Sequence, residues 1–268
     1  MLGDSLVTDK RAMDSSPNKT GALIIGDELL SGKRQDKHLQ ALIRILAARG
    51  MKLAWAEYLG DDPARIEAAL KRAFASGDLV FSFGGIGATP DDHTRGCAAR
   101  ALGMPLELHP EAKVLLEGRF GAEAYPHRIK MGEFPRGSRL IPNPVNQIAG
   151  FSYGDVHFVP GFPAMAWPMI EWVLDSQYSQ LFDHEPDVDR TVIALRAKEG
   201  DLIDLMQAFV ERYPTLRFSC LPSFGNETMP QHIEFGFNGK AALADIALAE
   251  LKKALGELGY ELREKTTG

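Results

Sequence analysis

"FSFGGIGATPDDHTR", residues 81–95, sets an apolar run, three glycines and two adjacent aspartates side by side. The run ending at Phe83 reads as a buried strand. Gly84, Gly85 and Gly87 lack a β-carbon, so the chain there can take positive φ and bring backbone N–H groups within hydrogen-bonding distance of a phosphate oxygen. Asp91, Asp92 and Thr94 then fall at the mouth of a helix predicted over "HTRGCAARALG", residues 93–103. A helix mouth favours negative charge, and an Asp or Thr there can cap free N–H groups. A cap uses one aspartate, which leaves a second carboxylate beside the place where an anion should sit. A divalent cation reconciles the two: magnesium takes hard oxygen ligands, commonly one or two carboxylates together with substrate phosphates.

Working outward, strands and helices alternate. "GALIIG" (21–26) is a strand ended by glycine, and "DKHLQALIRILAARG" (36–50) is a helix with Leu39, Leu42, Ile43 and Leu46 at helical spacing. "KLAWAEYLG" (52–60) is a second strand, and "DPARIEAALKRAFASG" (62–77) is a helix with Pro63 in its first turn. "DLVFSFGG" (78–85) is the third strand and "DVHFVP" (155–160) a later one. This order predicts an α/β fold with a mostly parallel sheet and right-handed crossovers, in which ligands bind beyond the carboxyl ends of the strands. Three stretches meet that condition: "GDELLSG" (26–32), "GGIGATPDDHTR" (84–95) and "VPGFP" (159–163), with "RLIPNPVNQIAGF" (139–151) as a Pro- and Asn-rich rim. Asp27 and Glu28 form a second acidic pair at a strand end. The pair reads either as turn decoration or, with Asp91 and Asp92, as a metal-binding and catalytic set.

Composition narrows the function. The 268 residues carry a formal net charge of −6, so no global basic field attracts nucleic acid or an anionic membrane, and neither is expected as a partner. No run of eighteen apolar residues and no secretory h-region is present, and Cys97 and Cys220 match no metal spacing. A cytoplasmic protein with two free, buried thiols is the expectation. Residues 1–19 are expected to form a disordered tail. His93, His109, His127, His157, His184 and His232 show no paired metal spacing and read as surface or cap residues. Lys130 could offset ligand charge if its loop folds over the crevice. Trp167, Trp172, Met165, Met169 and Ile170 read as the buried stripe of a helix.

The strings "GDELLSG", "GGIGATPDDHTR", "PNPVNQIAGF" and "VPGFP" resemble, in order and spacing, the MoaB/Mog-like molybdopterin-binding domain, and most closely the N-terminal domain of CinA-type competence/damage-inducible proteins. The resemblance covers residues 20–182 and implies a three-layer α/β/α fold, with molybdopterin or an adenine nucleotide as ligand. It also implies a metal-dependent cleavage of ADP-ribose-type pyrophosphates. It assigns ligand or metal roles to Asp27, Glu28, Gly84, Gly85, Gly87, Thr89, Asp91, Asp92, Thr94, Asn143, Pro144, Gly161 and Pro163. Two departures stand out: His38 occupies an asparagine position of the pattern, and residues 146–151 are bulkier than usual. The amidohydrolase domain of full-length CinA proteins has no counterpart in this sequence, so deamidation of a nicotinamide nucleotide is not expected.

Residues 183–268 read as a smaller α+β domain of order β-α-β-β-α, suited to a dimerisation or lid role, with "GFNG" (236–239) as a turn. The whole chain is expected to be a homo-oligomer that binds a small phosphorylated ligand, a nucleotide diphosphate or a pterin, with Mg²⁺ or a similar ion. Three functions stay open on the sequence: a metal-dependent pyrophosphatase, a molybdopterin-binding module without catalysis, and an oligomeric interaction protein with a decayed site.

Overall fold

The computed structural model describes residues 17–226 and 229–264, so most of the expected tail, residues 1–16, lies outside it. Asn18 and Lys19, expected within that tail, are anchored: Asn18 donates to the carbonyls of Ser76 and Gly77, and the Lys19 carbonyl accepts from the Leu79 N–H. Contacts divide the chain into two units, one ending at Phe182 and one starting at Asp183.

The first unit runs β1 (Thr20–Ile25), α1 (Asp27–Leu30), α2 (His38–Ala47), β2 (Leu53–Leu59), α3 (Pro63–Ser76), β3 (Leu79–Phe83) and α4 (Thr94–Leu102). It continues with β4 (Leu106–Leu108), α5 (Pro110–Phe120), β5 (Glu133–Pro135), β6 (Arg139–Ile141), β7 (Gly150–Tyr153), β8 (Val156–Val159) and α6 (Pro163–Gln177). Six strands form one sheet in the order β2-β1-β3-β8-β7-β6, the first four parallel and β7 antiparallel to both its neighbours, β8 and β6; β4 and β5 pair separately. The rim stretch 139–151 is therefore less loop-like than its Pro and Asn content suggests, because its two ends belong to β6 and β7.

Every residue of β1, β3 and β8 is buried, which explains their unbroken apolar runs: a central parallel strand is covered on both faces. Side chains alternate between the faces. Leu23 and Ile25 of β1 pack with Ile66 and Leu70 of α3 and Cys97 and Ala98 of α4, while Ala22 and Ile24 pack with Leu42 and Leu46 of α2 and Met169 and Ile170 of α6. Helices thus cover both faces and give three layers. The α3 helix is punctuated as its sequence implies: the Asp62 carboxylate accepts from the N–H groups of Ala64 and Arg65, Pro63 opens the first turn, and Gly77 closes it at φ +70°. In α6, Met169 and Ile170 are buried as expected, but Trp172 is 40% exposed. Among the described residues no helix is long and apolar enough to cross a membrane.

His157 departs furthest from its sequence reading. It is fully buried in β8, where its ring accepts from Ser152 Oγ through Nδ1 and donates through Nε2 to the Tyr178 hydroxyl, which in turn donates to Asp155. Burial pulls its pKa down to about 3.

The second unit comprises β9 (Val188–Leu195), α7 (Ile203–Arg212), β10 (Arg217–Ser223), β11 (His232–Gly239), α8 (Ala241–Glu257) and β12 (Leu262–Arg263), with an antiparallel sheet of order β10-β11-β9-β12. Ala244, Leu248, Leu251 and Leu255 of α8 pack on Val192 and Ala194 of β9 and Phe235 and Phe237 of β11. "GFNG" is not a turn: Gly236 to Gly239 close β11 and pair with Thr191 to Val188 of β9. Cys97 is buried as expected, whereas Cys220 is only half-buried, on the edge strand β10.

Candidate functional site

The strand order sets the carboxyl ends of β1, β3 and β8 next to one another, and the loops that follow enclose a cavity of about 380 Å³. Its wall includes Gly84, Gly85, Gly87, Thr89, Asp91 and Asp92 after β3, Glu28 after β1, Gly161 and Phe162 after β8, and Asn143 and Asn146 from the rim.

The glycine loop is wound tightly. Gly84 and Gly85 sit at φ +94° and +67°, and a β-carbon would lie 2.4 Å from the Ile25 carbonyl oxygen at Gly84 and 2.3 Å from Thr94 Oγ1 at Gly85. Only glycine meets both demands. The carbonyls of Gly84, Gly85, Ile86 and Gly87 are drawn away to other partners. Thr94 donates from Oγ1 to Gly84 (3.0 Å) and from its N–H to Gly85 (2.9 Å). Arg95 donates from Nε to Ile86 (3.0 Å) and from Nη2 to Gly87 (2.6 Å). The second Arg95 terminal nitrogen, Nη1, reaches the carbonyls of Lys130 and Glu133. Among the described residues, the N–H groups of Gly85, Ile86, Gly87 and Ala88 take no such partner, and these four residues line the cavity. Consecutive free N–H groups of this kind make an anion-binding concavity.

Neither aspartate caps α4, whose first turn has no side-chain cap. Asp92 instead closes the turn before it: its Oδ2 accepts from the Thr89 N–H (2.8 Å) and from the Thr89 hydroxyl, and its own N–H donates to the Thr89 carbonyl. Asp91 is exposed, and hydrogen bonding within this turn holds it below the ordinary carboxylate range. Asp27 is locked to Asp61 by a reciprocal pair: the Asp27 N–H donates to Asp61 Oδ2 (2.9 Å), and the Asp61 N–H donates to Asp27 Oδ1 (3.1 Å). Asp27, Glu28, Asp61 and Asp91 border one open recess beside the cavity. Burial, and then the charges of Asp27, Glu28 and Asp91, raise the pKa of Asp61.

The remaining predicted residues separate by position. Asn143 is buried and holds the rim loop, donating to the Ile148 carbonyl and accepting from the Val145 N–H. Thr94 is fully buried beneath the glycine loop, where it supports the cradle and stays out of the cavity wall. Lys130 is exposed and outside the wall, which Met131 enters in its place; only the Lys130 backbone takes part, as an Arg95 partner. Pro144 is exposed and outside it too, and Pro163 lines a neighbouring recess. Sequence reasoning missed Arg34, Asp61 and Phe162, which line the cavity, Arg95, which anchors the loop, and Met165, which lines the cavity where a core position was expected. Asp61 was findable, because it follows β2 as Asp27 follows β1.

A divalent cation can be tested against this donor set. Among the described residues no three His, Cys, Asp or Glu side chains gather closely enough to cage a metal. The carboxylates do fit an ion that shares its coordination with ligand phosphates and water, the usual habit of magnesium. Such a charge would relieve the repulsion from Asp27, Glu28 and Asp91 that adds to burial in raising Asp61.

The model of the family described as "Probable molybdopterin binding domain" matches residues 21–180. A CinA-like protein of Citrifermentans bemidjiense is 38% identical over 160 residues, which make up 57% of this chain and 39% of that relative. A CinA-like protein of Desulfovibrio desulfuricans is 35% identical over 153 residues, covering 55% and 36%. The chain therefore aligns with well under half the length of these relatives. The crystal structure of CinA from Thermoplasma acidophilum, a protein of unknown function, aligns with a TM-score of 0.55 at 27% identity, over 60% of this chain and 99% of that one. The first unit has the MoaB/Mog-like α/β fold with a mostly parallel sheet, and through it the chain belongs to the family of the "Probable molybdopterin binding domain".

Proposed function

We propose that the first unit binds a phosphorylated ligand on the glycine loop and, with a divalent cation, hydrolyses a nucleotide pyrophosphate of the ADP-ribose type. The observation that carries this reading is the set of four free N–H groups on residues 85–88 in the same cavity wall as Glu28, Asp61, Asp91 and Asp92. Free N–H groups hold phosphate oxygens, and the carboxylates supply hard oxygen donors beside them.

In this scheme the loop N–H groups fix one phosphate and orient the P–O–P bridge. Glu28, Asp91 and the free oxygen of Asp92 would hold the cation, which when bound polarises phosphorus and eases ionisation of water. Asp61, whose raised pKa favours proton uptake, receives the water's proton. The water oxygen bonds to phosphorus, the bridging P–O bond breaks, and two phosphomonoesters leave. Asp91→Ala tests the scheme, because the side chain is exposed and supports no other element: metal-dependent turnover falls to background with the melting temperature unchanged. Wild-type rates in that variant discard the mechanism.

A second reading is favoured by the family match: the cavity holds molybdopterin or a related phosphorylated pterin without cleaving it. Thermal shift with pterin precursors and with ADP-ribose, each with and without Mg²⁺, separates the two. Stabilisation by the pterin with no AMP formed from ADP-ribose selects the second reading. We further propose a homo-oligomer in solution, which a monomer mass by light scattering would refute.

A further inference from the structure

A second recess of about 350 Å³ opens beside the main cavity and shares Ile25, Glu28, Arg34 and Gly161 with it. The two therefore border one another across these residues, so a ligand anchored in one can reach toward the other. The recess adds Gln35, Lys37 and His38 to its wall. Two long helices begin at it, α2 at His38 and α6 at Pro163, the second without a side-chain cap. The positive end of α6 favours an anion, whereas that of α2 is met by the Asp36 carboxylate. Among the described residues, the side chains of Arg34, Gln35 and Lys37 have no hydrogen bond or ion pair. Asp36 also lines the recess, but its carboxylate is engaged by the Tyr58 hydroxyl and by the N–H groups of His38 and Leu39.

His38 is the unusual member. It is 5% exposed, with its ring centroid 4.6 Å from that of Phe83. Nε2 lies 3.2 Å from the Gly161 carbonyl oxygen. A carbonyl only accepts, so Nε2 carries the proton and Nδ1 is left as an acceptor. Nδ1 is buried and has no partner. Burial lowers the pKa of His38, which keeps the ring neutral and this tautomer in place. A ligand group that satisfies Nδ1 must donate a hydrogen bond while its neighbour carries negative charge toward Arg34, Lys37 and the start of α6. A sugar phosphate does both.

We propose that this recess is a second subsite, which takes the sugar-phosphate arm of a ligand whose other arm fills the main cavity, with His38 as the residue that selects for a sugar hydroxyl. The assignment rests on the reading of the site as one for a two-armed phosphorylated ligand. It identifies which wall holds which arm, and it leaves the apolar residues Ile86, Ile148, Phe162 and Met165 of the main cavity for the base.

The test is calorimetric binding of ribose 5-phosphate and of inorganic phosphate, without turnover, so that failure of the hydrolytic scheme leaves it intact. His38→Gln keeps a donor at the position of Nε2 for Gly161 but removes the Nδ1 acceptor. It is expected to weaken ribose 5-phosphate about fivefold and leave phosphate unchanged. Arg34→Ala with Lys37→Ala, both at exposed positions, weakens ribose 5-phosphate at least about tenfold. Equal affinity of the wild type for the two probes, or an unchanged affinity for ribose 5-phosphate in the Arg34/Lys37 variant, overturns the proposal.

Discussion

Replacing Arg95 by methionine removes one buried guanidinium that donates to four backbone carbonyls, those of Ile86, Gly87, Lys130 and Glu133. Arg95 is 7% exposed, so little water is at hand to replace those bonds. An unsatisfied buried acceptor costs about 1–3 kcal/mol. The four are not additive, because the loop relaxes once its anchor is gone, and a total of about 3–5 kcal/mol is expected. For a unit of this size that corresponds to a fall in melting temperature of roughly 10 °C. The consequence for function is separate and larger than for a core substitution of equal cost. With Ile86 and Gly87 released, their carbonyls can turn toward the cavity and present acceptors where the ligand needs donors. Urea denaturation should show the stability loss, and calorimetry under fully folded conditions should show phosphate-ligand affinity reduced at least tenfold. Arg95→Lys retains the charge but one point of contact, so it should recover only part of each loss. A methionine variant within about 1 kcal/mol of wild type, with unchanged affinity, would refute the anchoring argument.

Three further outcomes follow from named contacts. Gly85→Ala, which places a β-carbon 2.3 Å from Thr94 Oγ1 at φ +67°, should cost about 1–3 kcal/mol in denaturation and abolish ligand binding, whereas the open Gly103 should tolerate alanine at a smaller cost from its own positive φ. His157, held at about 3 against 6.5 when unfolded, binds a proton only in the unfolded chain over that range, so stability is full above pH 6.5 and falls as pH drops toward 3, by up to about 5 kcal/mol; a flat profile in denaturation between pH 7 and 4 would contradict it. Asp61 has a raised pKa, so its ionised form opposes folding: Asp61→Asn should stabilise the protein at neutral pH, with the gain fading in acid below the ordinary carboxylate range. A loss of stability at pH 7 in that variant would show that the pair with Asp27 outweighs the repulsion.

The layers of the first unit were legible because its central strands are buried on both faces, which writes them as unbroken apolar runs, and because Asp62, Pro63 and Gly77 mark the ends of α3. The strand-end rule then located the cavity between the loops after β1, β3 and β8. What escaped has common physical causes. Arginine is usually exposed, so nothing in "DDHTR" distinguishes a buried Arg95 that points at carbonyls from a solvated one. His157 reads as an isolated polar residue until β7, β8 and α6 bring Ser152, Tyr178 and Asp155 to it. Helix α5 does not gather its apolar residues on one face, and β4 and β5 are three residues each, too short for a period to show. Two glycines made "GFNG" look like a turn, but close pairing with β9 accommodates them within β11.

The account depends on free N–H groups at residues 85–88 meeting a phosphate, and amide NMR reads those groups directly. Titration of the ¹⁵N-labelled protein with ADP-ribose and Mg²⁺ should move the resonances of Gly85, Ile86, Gly87 and Ala88 downfield, more than that of Gly84, whose N–H already donates to the Val159 carbonyl. If all four stay in place while any phosphorylated ligand saturates the protein, the anion is held elsewhere and the central claim is wrong.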